Sequence, residues 1–176
     1  MPKNYWMVTT PLQHFDASRE QGFTRLGFGQ AHQRKVQRIE VGDRVLFYVM
    51  GREVFGATAT VDSTHFEERE PLWPSDDPKE VYPFRVRIHP DVVLNEEQYV
   101  DARLIAPRMD YVRKWTPERW YMAFHGPLHL IPKRDFALLE EEMRKLASPD
   151  GIRTPTSGAP SREARRGVTK PPAGRG

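Results

Sequence analysis

The chain has 176 residues, with 27 Lys and Arg against 24 Asp and Glu, for a formal net charge of +3. That length fits one domain with a core of ordinary size. The absence of cysteine excludes a disulfide framework and thiolate metal sites. No apolar run approaches the roughly 20 residues of a membrane span. The N-terminus lacks a basic region followed by an apolar run, so no signal peptide, no membrane contact and a cytoplasmic location are expected.

The charge is uneven. Residues 147–176 carry Arg153, Arg162, Arg165, Arg166, Lys170 and Arg175 against Asp150 and Glu163. This stretch is +4, which leaves −1 for residues 1–146. It also holds five prolines, five glycines and almost no large apolar residue. Such a segment cannot bury enough surface to offset its ordering entropy. The expected organisation is therefore a domain over 1–146 and a disordered basic tail over 147–176.

In chain order, residues 4–9 read as a first strand, rich in aromatic and β-branched types. A short helix is expected over 12–21, with Leu12, Phe15 and Arg19 on one face. Residues 22–29 read as an aromatic loop whose three glycines let its backbone approach a ligand. A short basic helix follows over 30–38, then two strands at about 43–50 and 54–62. Residues 62–80 form a polar, acidic, Pro-rich connection containing Trp73. A strand at 81–89 alternates, with Phe84, Val86 and Ile88 on one side and Arg85 and Arg87 on the other. Pro83 suggests an edge or a bulge there. A short helix is expected over 96–105. Thr116 and Pro117 make a helix start. The last helix begins after Pro132 and runs to about Leu146, with Phe136, Leu139, Met143 and Leu146 as its buried stripe. Glu140–Arg144 and Glu141–Lys145 are its outer i,i+4 pairs. The fold class is α+β: a small mixed β-barrel with short helices inserted and a C-terminal helix.

The ordered set Tyr5-Trp6-Met7-Val8, Gly42-Asp43-Arg44-Val45-Leu46-Phe47-Tyr48, Val54-Phe55-Gly56-Ala57, Tyr82-Pro83-Phe84-Arg85-Val86 and Arg119-Trp120-Tyr121-Met122-Ala123-Phe124-His125-Gly126 resembles the EVE domain, a PUA-like relative of the YTH and ASCH domains. The resemblance covers roughly residues 4–146. It implies a PUA-like barrel without enzymatic activity, holding a modified base of DNA or RNA in an aromatic pocket. At Leu26-Gly27-Phe28 the chain departs from many relatives, which often carry a tryptophan in that loop.

Recognition of an extruded base needs flat rings and a few polar groups at its edge. The candidate rings are Trp6, Phe28, Tyr48, Trp73, Trp115, Trp120 and Phe124. Trp6 and Tyr48 lie on strands, where packing in the core is the competing explanation. Trp73 and Phe28 lie on expected loops, where a large ring calls for a contact. Thr9, Asn4 and the backbone near Gly27 are candidate edge contacts. Arg25, His32, Arg34, Lys35, Arg38 and Arg44 form one loose basic cluster; Arg108, Arg113, Lys114 and Arg119 form another. Arg85 either lines a groove or pairs with the acidic 62–80 connection, and the groove is the reading favoured here. The expected ligand-binding set is Trp6, Thr9, Arg25, Gly27, Phe28, Tyr48, Trp73, Arg85, Arg119, Trp120 and Phe124. No cofactor, metal cluster or catalytic motif is expected; His125 and His129 are separated by Gly126-Pro127, which argues against a helical zinc pair.

Two other functions compete. An ASCH-like hydrolase of modified nucleosides needs a Lys, a Thr and a Glu converging on one pocket, and no lysine lies inside an expected strand. A protein-interaction subunit of a nucleic-acid modification or defence system, with a protein partner, is the third.

Overall fold

A computed structural model describes residues 2 and 4–147; the expected tail lies outside the described residues, apart from Ala147. The strands are β1 (Tyr5–Pro11), β2 (Arg25–Phe28), β3 (Arg44–Met50), β4 (Val54–Val61), β5 (Phe66–Glu67), β6 (Phe84–Val93), β7 (Val100–Asp101) and β8 (Leu128–Ile131). The helices are α1 (Leu12–Glu20), α2 (Gln33–Val36), α3 (Ala102–Ile105) and α4 (Lys133–Leu146). Short 3-10 segments join them, including Pro117–Phe124. The fold is mixed α+β, with the sheet curled into a half-barrel in the order β2-β6-β4-β3-β1-β8. β1 and β3 run parallel; the other pairings are antiparallel.

Period-2 alternation places the core on both faces of this sheet. Trp6, Val8, Val45, Phe47, Val49, Val86 and Ile88 fill one side. Met7, Leu46, Tyr48, Val92 and the α4 residues Phe136, Leu139 and Met143 fill the other. Two bulges adjust the alternation. Phe47 faces Ala57 while Tyr48 faces Phe55, so Gly56 is the extra residue, and Phe55 turns to the α4 side. A Cβ on Gly56 would lie 2.6 Å from Cζ of Phe15, which is why glycine stands there. On β6, Thr58 faces Val92 and Ala59 faces Pro90, leaving Asp91 as the extra residue. Asp91 accepts hydrogen bonds from Thr60 Oγ1 at 2.6 Å and Arg44 Nη2 at 2.9 Å.

Several expectations are corrected. The loop expected over 22–29 contains β2, because Gly27 and its neighbours pair with Phe84–Arg87 and form one edge of the sheet. The strand near Pro83 begins after it and continues through Pro90, which the bulge at Asp91 accommodates. The helix expected over 96–105 is a 3-10 turn, the short β7 and the four-residue α3. β8, only four residues between two prolines, carries too little pattern to read, and it closes the other edge against β1. α4 matches its expected span, but Leu146, the last residue of the helix, is 48 % exposed and does not join the buried stripe.

Candidate functional site: an aromatic cleft at the strand ends

Because β1 and β3 are parallel, their C-terminal ends lie side by side, with Pro11 opposite Met50. Thr9, Thr10 and Met50 there meet His14 of α1, Gly27 and Phe28 of β2, and Trp73 and Tyr82 of the long connection, around a cleft of about 450 Å³. Gly126 and Pro127, before β8, complete the rim.

The rings are held against one another. Trp73 stacks on His14 with centroids 4.6 Å apart and planes 13° apart. Tyr82 meets Trp73 edge-on at 5.1 Å and His14 at 5.4 Å. Trp73 Nε1 donates to Ser18 Oγ at 2.9 Å. His14 and Ser18 are four residues apart, so one face of α1 receives both the ring and the N–H of Trp73. Tyr82 has a φ of 53°, a left-handed conformation that a bulky residue adopts only when its surroundings impose it. Gly27 explains part of the fit: a Cβ there would lie 2.7 Å from Leu72 Cδ2 and 2.8 Å from the Tyr82 carbonyl oxygen.

Burial lowers the His14 pKa, partly opposed by the Glu80 charge. The ring is therefore neutral at neutral pH and offers one donor and one acceptor. Burial and Glu80 raise the Tyr82 phenol. Thr9 Oγ1 donates to the Phe124 carbonyl at 3.2 Å, and Thr9 N donates to the Pro127 carbonyl at 3.0 Å.

Of the expected ligand-binding residues, Thr9, Gly27, Phe28 and Trp73 come together at this cleft, with the Phe28 ring buried in the core beneath it. The others lie elsewhere. Trp6 is fully buried, and its Nε1 donates to Asp43 Oδ2 at 3.0 Å; it packs the core because β1 is a central strand. Tyr48 is stacked on Phe124 at 4.6 Å in the α4-side core. Burial, with the Glu53 charge, pushes its phenol to about 12. Phe124 is likewise buried. Trp120 meets Phe124 at 5.7 Å and lines a different pocket, with Arg119 exposed beside it.

Arg85 does not line a groove. Its guanidinium is fully buried and donates to the Tyr82 carbonyl at 3.0 Å, the Val81 carbonyl at 3.0 Å, the Glu70 carbonyl and Glu68 Oε1 at 2.5 Å. Burial lowers its pKa, and Glu68 opposes that shift. Arg85 therefore latches both ends of the connection that carries Trp73. Arg25 shares Glu68 at 2.6 Å. The first basic cluster is divided in the same way. Arg44 is held by Asp91 at 2.9 Å and Glu140 at 2.5 Å. Arg34 and Arg38 stay exposed on and just after α2.

Residue-by-residue reading missed His14, Met50 and Tyr82. The 14/18 spacing on a helix beside an unpaired loop tryptophan was the available signal for His14. Tyr82 depends on a backbone conformation that no local pattern announces.

A curled sheet packed on both faces, with a cleft at the ends of its parallel strands, defines a PUA-like fold. The chain belongs to the EVE domain family, whose profile matches residues 4–110. A UPF0310 protein of Pyrococcus abyssi is 23 % identical over 146 residues, covering 78 % of this chain and 97 % of the relative. Among solved structures, the YTH domain of Zygosaccharomyces rouxii MRB1 protein in complex with N6-methyladenosine RNA has a TM-score of 0.57 at 12 % identity, covering 84 % of this chain and 92 % of that one. The Pho92 YTH domain in complex with m6A has a TM-score of 0.59 at 12 % identity, covering 85 % and 89 %. No helix among the described residues is long and apolar enough to cross a membrane.

Proposed function

We propose that this protein is a non-enzymatic binding module that takes a modified base of a nucleic-acid strand into the cleft of His14, Trp73 and Tyr82, floored by the buried Phe28. The observation that carries the reading is the cleft of about 450 Å³, walled by mutually packed rings at the open end of the sheet. Stacking on such rings contributes about 1–3 kcal/mol per base. Neutral His14 and the exposed Gln30 supply polar groups at the base edge, and Arg34 and Arg38 supply charge for flanking phosphates. Two structural neighbours are complexes with N6-methyladenosine RNA or m6A, which supports a modified-base reader over a plain single-strand binder. The hydrolase alternative is weaker: the cleft lining holds threonines but neither a lysine nor a carboxylate among the described residues.

The test is tryptophan-fluorescence titration of the full chain. The ligands are DNA and RNA oligonucleotides bearing methylated adenine, methylated or hydroxymethylated cytosine, or plain bases. The expected result is a preference for one modified base that His14→Ala reduces about tenfold, within the stacking range. Equal, strongly salt-sensitive binding of all oligonucleotides would leave only surface charge and refute the reading.

A further inference from the structure

A second pocket, of about 340 Å³, lies on another part of the molecule between Met109, Arg113, Trp115, Pro117 and Trp120. Its rings differ from those of the cleft. Trp115 is 38 % exposed, and Tyr121 nearby is 48 % exposed, although both are large enough to be buried in a core. Trp115 makes no ring contact with another aromatic among the described residues. Trp120 rests one side against Phe124 and borders the pocket as well.

Arg113 lines the pocket, and the residues flanking these rings in the chain are mostly cationic. Residues 106–121 carry Arg108, Arg113, Lys114 and Arg119 against Asp110 and Glu118. Asp110 is already taken by Arg134 at 2.6 Å and Arg113 at 3.2 Å. Arg108 faces Glu142 at 3.7 Å. Lys114 lies over the Tyr111 ring at 5.9 Å, and neither it nor Arg119 enters an ion pair among the described residues. A ligand that is flat at one end and anionic at the other complements this arrangement.

We propose that this pocket is a second subsite for a nucleotide of the same strand, its base on Trp115 and its phosphate near Arg113, Lys114 and Arg119. The inference rests on the nucleic-acid reading of the cleft and adds to it. The two sites share one chain segment: Trp120 lines the pocket, and Gly126 and Pro127 line the cleft. Six residues span at most about 22 Å when fully extended, and the segment is largely 3-10 and so shorter. A stacked strand, at about 3.4 Å per nucleotide, covers that rim-to-rim distance in about six or seven nucleotides, within a twelve-mer.

The experiment measures anisotropy of labelled three- and twelve-nucleotide strands carrying the preferred modified base, with the full chain. The twelve-mer is expected to bind more tightly. Trp115→Ala should remove about tenfold of its affinity and leave the three-mer unchanged, while Trp115→Phe restores most of the loss. Arg119→Gln should lower the salt slope for the single-stranded twelve-mer by about 0.7. Unchanged twelve-mer affinity in Trp115→Ala, with the base preference intact, overturns the second subsite alone. Wild-type protein with no preference for a modified base overturns the cleft reading and this inference with it. If Trp115→Ala abolished capture of an acidic aromatic peptide but not of the twelve-mer, the pocket would belong to a protein partner and the proposal would fall.

Discussion

Arg85→Met separates two roles that an arginine on this strand can play. In the structure the guanidinium is fully buried and bonded to the Glu68 carboxylate and to the carbonyls of Glu70, Val81 and Tyr82. Methionine fills much of the same volume and supplies none of these donors. The carbonyls of Glu70, Val81 and Tyr82 then lose this donor, and the partly exposed Glu68 keeps only Arg25. Leaving a buried acceptor unsatisfied costs about 1–3 kcal/mol, so for these three partly screened carbonyls together about 3–5 kcal/mol is expected. For a domain of this size that is a fall in Tm of roughly 6–20 °C. Urea denaturation monitored by tryptophan fluorescence measures the loss. Hydrogen exchange should show early opening of residues 66–83, because the latch spans that connection. Arg85→Lys should recover little, since an ammonium is a compact charge that cannot reproduce the planar fork. A stability change below about 1 kcal/mol, the range of an exposed ion pair, would refute the latch. If oligonucleotide binding fell at the same time, the arginine would belong to a groove after all.

Gly27→Ala forces a Cβ to within 2.8 Å of the Tyr82 carbonyl, a backbone atom that cannot turn away, so overpacking of about 1–3 kcal/mol is expected on chemical denaturation. Because Tyr82 walls the cleft, base affinity should fall as well. Asp43→Ala leaves the N–H groups of Asn4 and Glu40 and the Trp6 indole without the buried carboxylate they share, and Tm should drop by an amount corresponding to about 2–4 kcal/mol. His14 has a lowered folded pKa, so below the unfolded value near 6.5 the unfolded chain binds the proton first. Its contribution is complete above that pH and is lost as pH falls through the window below it. Urea midpoints between about pH 7.5 and about pH 5 should fall less in His14→Gln than in the wild type, and an equal fall in both would contradict the shift.

What the sequence determined by itself is local. The α4 span follows from Pro132 and the 3.6-residue stripe of Phe136, Leu139 and Met143, since both act within a few turns. β3 and β4 follow from their apolar runs on either side of a Gly51 turn, where φ is 89°. The order of these pieces also carried the family. The tertiary structure decided what depends on distant partners. β2 is a strand because β6 offers it an edge, not because Arg25–Phe28 prefer one. Arg85 is buried because a connection rich in carbonyl and carboxylate acceptors folds over it, while alternation alone places it facing outward. Trp6 and Trp73 illustrate the same limit: both donate an indole N–H to a buried acceptor, Asp43 and Ser18, yet only Trp73 lies at the cleft. A ring carries the same apolar area into a core or a binding site. The elements that close over it, 37 and 55 residues away in these two cases, decide which one it serves.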